Sequence, residues 1–240
     1  MPALLASVRS LTEAHIAVSE GCDWLDLKDP SAGALGAPSS AEVRAVVSQY
    51  AAHLPVSATT GDCWDTPAEI PRRVAEHATL GVPWVKFGLF ARLLDARFKS
   101  ELSAAVACGP RLIAVNFAED PLDEPGIANL ARLGLAGVML DTANKANGSL
   151  TRHLSLGRLG EFVAAGRRHG LIVGLAGSLR ATDIPTLAAL APDYLGFRGA
   201  LCGGQRTDAL DPFAMRHIRT CLAASSTHSP IPVGANHGLA

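Results

Sequence analysis

Eight short aliphatic runs recur along the chain, each leading into a polar or glycine-bearing turn and then a segment of helical spacing. They are ALLAS (3–7), WLDLK (24–28), PVSAT (55–59), WVKFG (84–88), LIAVN (112–116), GVMLD (137–141), LIVGL (171–175) and YLGFR (194–198). Their starts lie 21 to 34 residues apart, room for one strand, one helix and two short loops. With no block of strands alone or helices alone, this alternation predicts an α/β chain closed into a single-domain TIM (β/α)8 barrel. The 240 residues suit one such barrel. An open doubly wound sheet is the alternative, but no GxGxxG follows the first run and no Walker A sequence occurs.

Helix-start chemistry falls between the runs. Ser10 with Glu13, Ser39 with Glu42 and Thr66 with Glu69 have capping-box spacing, and Pro67 and Pro212 sit where a first-turn proline is tolerated. The catalytic barrel is expected over 1–224. Residues 225–240, rich in Ser, Pro, Gly and His without periodicity, are expected to form a loose tail.

Composition narrows the partners. The chain is 48% hydrophobic and 18% charged with a net charge of -1, which suits a globular protein with no pull toward nucleic acid or anionic membrane. No leader-like start and no run of 18 apolar residues occur, so a cytoplasmic protein with small-molecule partners is expected. Exposed apolar helix positions leave room for a homo-oligomer. Five cysteines without a CxxC pair fit reduced, packed thiols. Eight histidines without HExxH give no metal site; His153 is a loop histidine within reach of the mouth, and Trp24, Trp64 and Trp84 are packing residues.

In a barrel of this kind chemistry sits at the carboxyl ends of the strands. Those ends carry Asp26 and Lys28, Ser57 and Thr59, Lys86, Asn116, Asp141 and Arg198. Alternation puts Asp26 and Lys28 on one face of one strand, so both can enter the mouth. Of 21 basic residues only four are lysines, and two of them, Lys28 and Lys86, end predicted strands; Lys145 lies four residues after Asp141. A GC-rich genome explains the scarcity of lysine but not its placement. A lysine amine, unlike a guanidinium, can lose its proton and form an imine. Lys28 is therefore the candidate nucleophile, against the alternative of an ion pair with Asp26. Lys86, Asp26, Asp141 and Lys145 are candidates for orienting it and moving protons.

The loops after the seventh and eighth runs, GLAGSLRATD and GFRGALCGG, fall where barrels of this class commonly bind phosphate. Gly177 and Gly199 would let backbone N–H groups approach an anion, with Ser178, Arg198 and Thr59 as side-chain donors.

Taken together, DLKDPSAGALGA (26–37), VSATTGD (56–62), VKFGLF (85–90), MLDTANK (139–145), GLAGSL (174–179) and GFRGALC (196–202) resemble the motifs of the (5-formylfuran-3-yl)methyl phosphate synthase family. The resemblance runs in order from the second run to the eighth. It implies a cofactor-independent barrel that joins two glyceraldehyde 3-phosphate molecules into 4-(hydroxymethyl)-2-furancarboxaldehyde phosphate with release of phosphate and water, in methanofuran-type biosynthesis. It further implies Lys28 as the Schiff-base residue and Lys86 as a proton acceptor, with Asp26, Asp141 and Lys145 in the active site. The segment NFAEDPLDEPG and the C-terminal tail depart from the family pattern. Two other readings stay open on the residues alone: a class I aldolase that stops at carbon–carbon bond formation, and a non-catalytic sugar-phosphate-binding barrel.

Overall fold

A computed structural model describes residues 1–225. Eight parallel strands form one closed sheet in sequence order: β1 (Ala3–Val8), β2 (Trp24–Leu27), β3 (Val56–Thr59), β4 (Trp84–Leu89), β5 (Arg111–Phe117), β6 (Gly137–Asp141), β7 (Ile172–Leu175) and β8 (Tyr194–Phe197). β8 pairs back onto β1 through the register Ala3 to Tyr194. All eight expected strands are present, and the TIM barrel is the observed fold.

The outer layer is α1 (Leu11–Ser19), α2 (Ser40–Tyr50), α3 (Glu69–Thr79), α4 (Ala96–Val106), α5 (Glu124–Arg132), α6 (Leu150–His153), α7 (Leu156–Arg168), α8 (Ile184–Ala188) and α9 (Pro212–Ser225). The short α6 before α7 explains why the sixth and seventh strands are the most widely spaced. Ser225, expected to open the tail, instead ends α9, where its Oγ donates to Leu222 O at 2.7 Å. The rest of the expected tail, 226–240, lies outside the described residues.

Local capping explains two of the helix starts. Ser10 Oγ accepts from Glu13 N and Ser39 Oγ from Glu42 N, both at 3.3 Å, satisfying donors the first turn leaves open. The return half of each expected box is absent. Glu42 accepts from Leu11 N at 2.7 Å, and Glu13 accepts from Arg9 N at 2.9 Å. The third box does not form at all: α3 is capped by Ala68, and the Thr66 hydroxyl turns back to Cys63 O.

Strand alternation divides the core into two shells. One face of each strand packs on the helices through residues such as Leu25, Val85, Phe87 and Val138, all 0% exposed. The other fills the barrel. There Trp24, Trp84 and Tyr194, each the first residue of its strand, stack as a floor, with ring centroids 4.9 Å apart for Trp24 and Trp84 and 5.2 Å for Trp24 and Tyr194. Gly174 makes room for this floor, because a Cβ there would collide with the Tyr194 ring. Trp64 is a packing residue as well, edge-on to Phe117 at 5.0 Å. With aromatics at the amino ends, the inward positions toward the carboxyl ends are left for polar groups.

Candidate active site

Above the floor opens a cavity of about 430 Å³, lined by Asp26, Lys28, Lys86, Asp141 and Lys145 together with Gly177, Ser178, Arg198 and Gly199. Strand parity brings Asp26, Lys28, Lys86 and Asp141 to one mouth, and the turn after β6 adds Lys145. Thr59 is the one expected site residue outside it.

Asp26 and Lys86 form the deepest pair. The register sets Asp26 beside Ser57 and Thr59 beside Lys86, so the pair spans β3. Lys86 Nζ lies 3.0 Å from Asp26 Oδ1, as an ion pair rather than an aligned hydrogen bond. Asp26 also accepts from Ser57 Oγ at 2.6 Å and Ser7 Oγ at 3.1 Å, and Trp24 Nε1 donates to Ser57 Oγ at 3.2 Å. The carboxylate is thus fixed by donors on three sides. Lys86 is 1% exposed and its ammonium sits 5.3 Å from the Tyr194 ring centroid. Burial pulls its pKa down, Asp26 opposes that pull, and the nearby Lys28 adds to it, leaving the amine below the ordinary lysine value of 10.5.

A second pair lies across the mouth. Asp141, at the end of β6, accepts from Lys145 Nζ and from Thr142 N, the latter at 2.7 Å. Lys145 Nζ also donates to Thr142 O at 2.5 Å. Burial alone would raise the Asp141 carboxyl, but the positive Lys145 and Lys28 and these hydrogen bonds outweigh it and hold the group below the usual carboxylate range. Lys145 occupies a 3₁₀ turn, Lys145–Asn147, braced from the neighbouring loop: Glu119 accepts from Ala143 N at 3.0 Å and Asn144 N at 3.1 Å. Glu119 belongs to the segment that departs from the family pattern, and its role here is to hold the lysine's loop.

Lys28 differs from both other amines. Its backbone N–H extends the β1–β2 ladder by donating to Val8 O at 3.0 Å, which directs the side chain inward. Among the described residues its Nζ makes no hydrogen bond and no ion pair. The alternative of a Lys28–Asp26 ion pair is not what the structure holds, because Asp26 is taken by Lys86 and two serines. Lys28 is left as an amine facing the cavity, within electrostatic range of Lys86, Asp141 and Lys145.

The glycine loops form the roof. Gly177 has φ +104 and Ser178 φ +49, the left-handed region that glycine adopts without strain. A side chain at 177 would press within 3.0 Å of Thr142 N. Among the described residues, the N–H groups of Gly177, Ser178, Leu179, Gly199 and Ala200 have no protein acceptor. Such a cluster of open N–H groups suits an anion.

Two expected phosphate donors are corrected. Arg198 lines the cavity, yet its guanidinium is fully engaged elsewhere: Nε donates to Arg206 O at 2.8 Å, Nη1 to Ser7 O at 3.2 Å and Nη2 to Asp208 O at 2.7 Å, while both terminal nitrogens meet Glu13. It closes the seam between β8 and β1 and fixes the loop after β8. Thr59 donates to Gly36 O at 2.9 Å, tying down the loop after β2. Asn116 is likewise structural, donating to Leu89 O at 3.0 Å and accepting from Leu122 N at 2.7 Å. Conversely, Arg152, Arg180 and Arg206 line the cavity and were not expected there. The only sequence signal for them was membership of the loops after the sixth to eighth runs.

Comparison with known proteins agrees with this geometry. A protein of Methylorubrum extorquens is 44% identical over 212 residues, covering 88% of this chain and 87% of its own. The (5-formylfuran-3-yl)methyl phosphate synthase of Methanopyrus kandleri is 33% identical, with 92% and 99% covered, and that of Archaeoglobus fulgidus 31%, with 86% and 93% covered. Among solved structures, 3-hexulose-6-phosphate synthase from Salmonella typhimurium superposes with a TM-score of 0.65 at 16% identity, covering 93% of this chain and 99% of its own. Phosphoribosyl anthranilate isomerase from Thermus thermophilus gives 0.65 at 15% identity with the same coverage, and both likenesses speak to the fold alone. The model of the 4-HFC-P synthase family matches residues 4–219, and with relatives of this identity over most of its length the chain belongs to the (5-formylfuran-3-yl)methyl phosphate synthase family.

Proposed function

We propose that this chain condenses two molecules of glyceraldehyde 3-phosphate into 4-(hydroxymethyl)-2-furancarboxaldehyde phosphate, releasing phosphate and water, by way of an imine on Lys28. The product would serve a methanofuran-type cofactor. The observation that carries the reading is the Lys28 amine, inside a cavity with two other lysines and bound to neither carboxylate.

In this scheme the neutral Lys28 amine adds to the aldehyde carbon of one triose phosphate, and loss of water gives an iminium that acidifies the adjacent C–H. Lys86, held below the ordinary lysine value by burial, takes that proton to leave an enamine. The enamine carbon attacks the aldehyde of the second triose phosphate, forming the new carbon–carbon bond. Eliminations, ring closure and hydrolysis of the imine then return the free amine. Burial lowers the Lys145 pKa and Asp141 opposes that pull, favouring the charged amine beside the developing alkoxide, and the open N–H groups of the Gly177 and Gly199 loops receive a phosphate. The scheme draws on no cofactor and no metal ion.

Borohydride reduction in the presence of glyceraldehyde 3-phosphate tests it: the peptide bearing Lys28 should gain the mass of one reduced triose phosphate. An unmodified Lys28 would rule the imine out. Phosphate release with near-ultraviolet absorbance separates furan synthesis from a simple aldolase, which forms the bond and keeps both phosphates. Binding without turnover would mark a sensor.

A further inference from the structure

The lining of the cavity carries seven cationic side chains and two carboxylates. Three of the cations have built partners: Lys86 with Asp26, Lys145 with Asp141, and Arg198 with Glu13. Among the described residues the remaining four, Lys28, Arg152, Arg180 and Arg206, have no carboxylate at ion-pair distance. The three guanidiniums among them are always charged, and unmatched positive charges around one concave site repel one another, a repulsion that bound anions relieve. A phosphomonoester carries about 1.5 to 2 negative charges near neutral pH, so three guanidiniums exceed what one such group neutralises.

The three guanidiniums are not gathered in one place. Arg152, in the short α6, and Arg180, after β7, lie on the side of Gly177 and Ser178, where Leu150 N donates to Gly177 O at 2.8 Å. Arg206 is drawn the other way. Its carbonyl is fixed by Arg198 Nε at 2.8 Å, and its Nη2 donates to Gly33 O at 3.1 Å, on the loop after β2. That loop is itself held by Asp62, which accepts from Ala34 N at 3.1 Å and Leu35 N at 2.8 Å. The guanidinium is thus stretched from the β8 loop toward the loop that follows Lys28. It is half-buried, close enough to influence Asp141 and Lys145, and the Gly33 bond engages only one of its five donors.

We propose that Arg206 forms a second phosphate subsite, separate from the backbone N–H cluster of the β7 and β8 loops, so that the cavity holds two phosphomonoesters at once. The N–H cluster, flanked by Arg152 and Arg180, receives one, and Arg206 receives the other. The assignment deepens the proposed two-substrate reaction and rests on it for the identity of the ligands.

Equilibrium dialysis with glycerol 3-phosphate, which has no carbonyl and forms no imine, tests the subsite apart from the chemistry. The unaltered protein should bind two molecules per chain. Arg206→Gln should weaken one of them about tenfold or more and leave the other unchanged. Arg206→Lys, keeping the charge but not the fork, should fall between. With glyceraldehyde 3-phosphate, Arg206→Gln should still yield the borohydride-trapped Lys28 adduct while the KM for furan formation rises by a similar factor. One molecule bound by the unaltered protein would overturn the proposal. So would two molecules weakened equally in the variant, which would make Arg206 a loop brace only. Failure of Lys28 to trap would remove the imine reading, while the dialysis count decides the subsite independently.

Discussion

The mouth of the barrel contains two lysine–aspartate pairs built on different principles. Asp26 and Lys86 stand on strands, with their separation set by the register across β3 and their surroundings by Ser7, Ser57, Trp24 and Tyr194. Asp141 and Lys145 join a strand end to a 3₁₀ turn, and the turn keeps its place through Glu119 of another loop. The first pair is as rigid as the sheet, and the second is as rigid as its brace. Lys28 belongs to neither, although its own loop and strand lie beside the first. The contrast suggests a division of labour, with two amines tied in place and one left free to react.

The largest effect should come from the unpaired amine. Lys28→Ala should lower the furan-forming rate on the order of 10⁴-fold or more and abolish the trapped adduct, with melting behaviour close to that of the unaltered protein. Unaltered turnover would show that the free amine is not the reacting one.

Next comes the strand-borne pair. Asp26→Asn leaves Lys86 buried without its counter-charge and should destabilise the fold by about 3 kcal/mol, measured by urea denaturation. It also has a pH signature. Asp26 raises the Lys86 pKa, so its removal increases the neutral fraction of that amine at any given pH. The rising limb of kcat/KM against pH should move to lower pH. Stability should change in step: the unfolded chain keeps this proton to higher pH than the folded one, so stability rises with pH between the two values, and the window extends further down in the variant. A limb that stays in place would detach Lys86 from proton transfer.

Gly174→Ala addresses the floor beneath that pair. The added methyl meets the Tyr194 ring, and a loss of about 1 to 3 kcal/mol in thermal or urea denaturation is expected. The smallest effect should fall on the braced pair. Glu119→Gln exchanges a charged acceptor for a neutral one and should weaken the hold on the Lys145 loop by about 1 kcal/mol. A severalfold drop in kcat at constant KM is its expected mark, and a larger effect than that of Asp26→Asn would reverse the ranking of the two pairs.

What the amino-acid order made legible follows the range of the interactions involved. The strands were visible because each is a local run; Asp26, Lys28, Lys86 and Asp141 followed from strand parity, which needs no knowledge of neighbours, and Lys145 from its short spacing after Asp141. Arg198 and Glu13 were misjudged for the opposite reason. Glu13 had capping-box spacing with Ser10, but its carboxylate is shared between Arg9 and a guanidinium 185 residues away. Thr59 had the correct inward parity, yet the loop after β2 folds over it and takes its proton. Arg206 carried no local pattern at all. Its place depends on Arg198 at one end and Gly33 at the other, contacts that exist only once the ring has closed.

The stacked rings of Trp24, Trp84 and Tyr194 make the chamber blind. With no exit below among the described residues, whatever arrives from solvent departs through the same doorway, so whichever molecule settles deepest is the last to go. Traffic through that single opening then sets a sequence of arrivals and departures before any chemistry is considered.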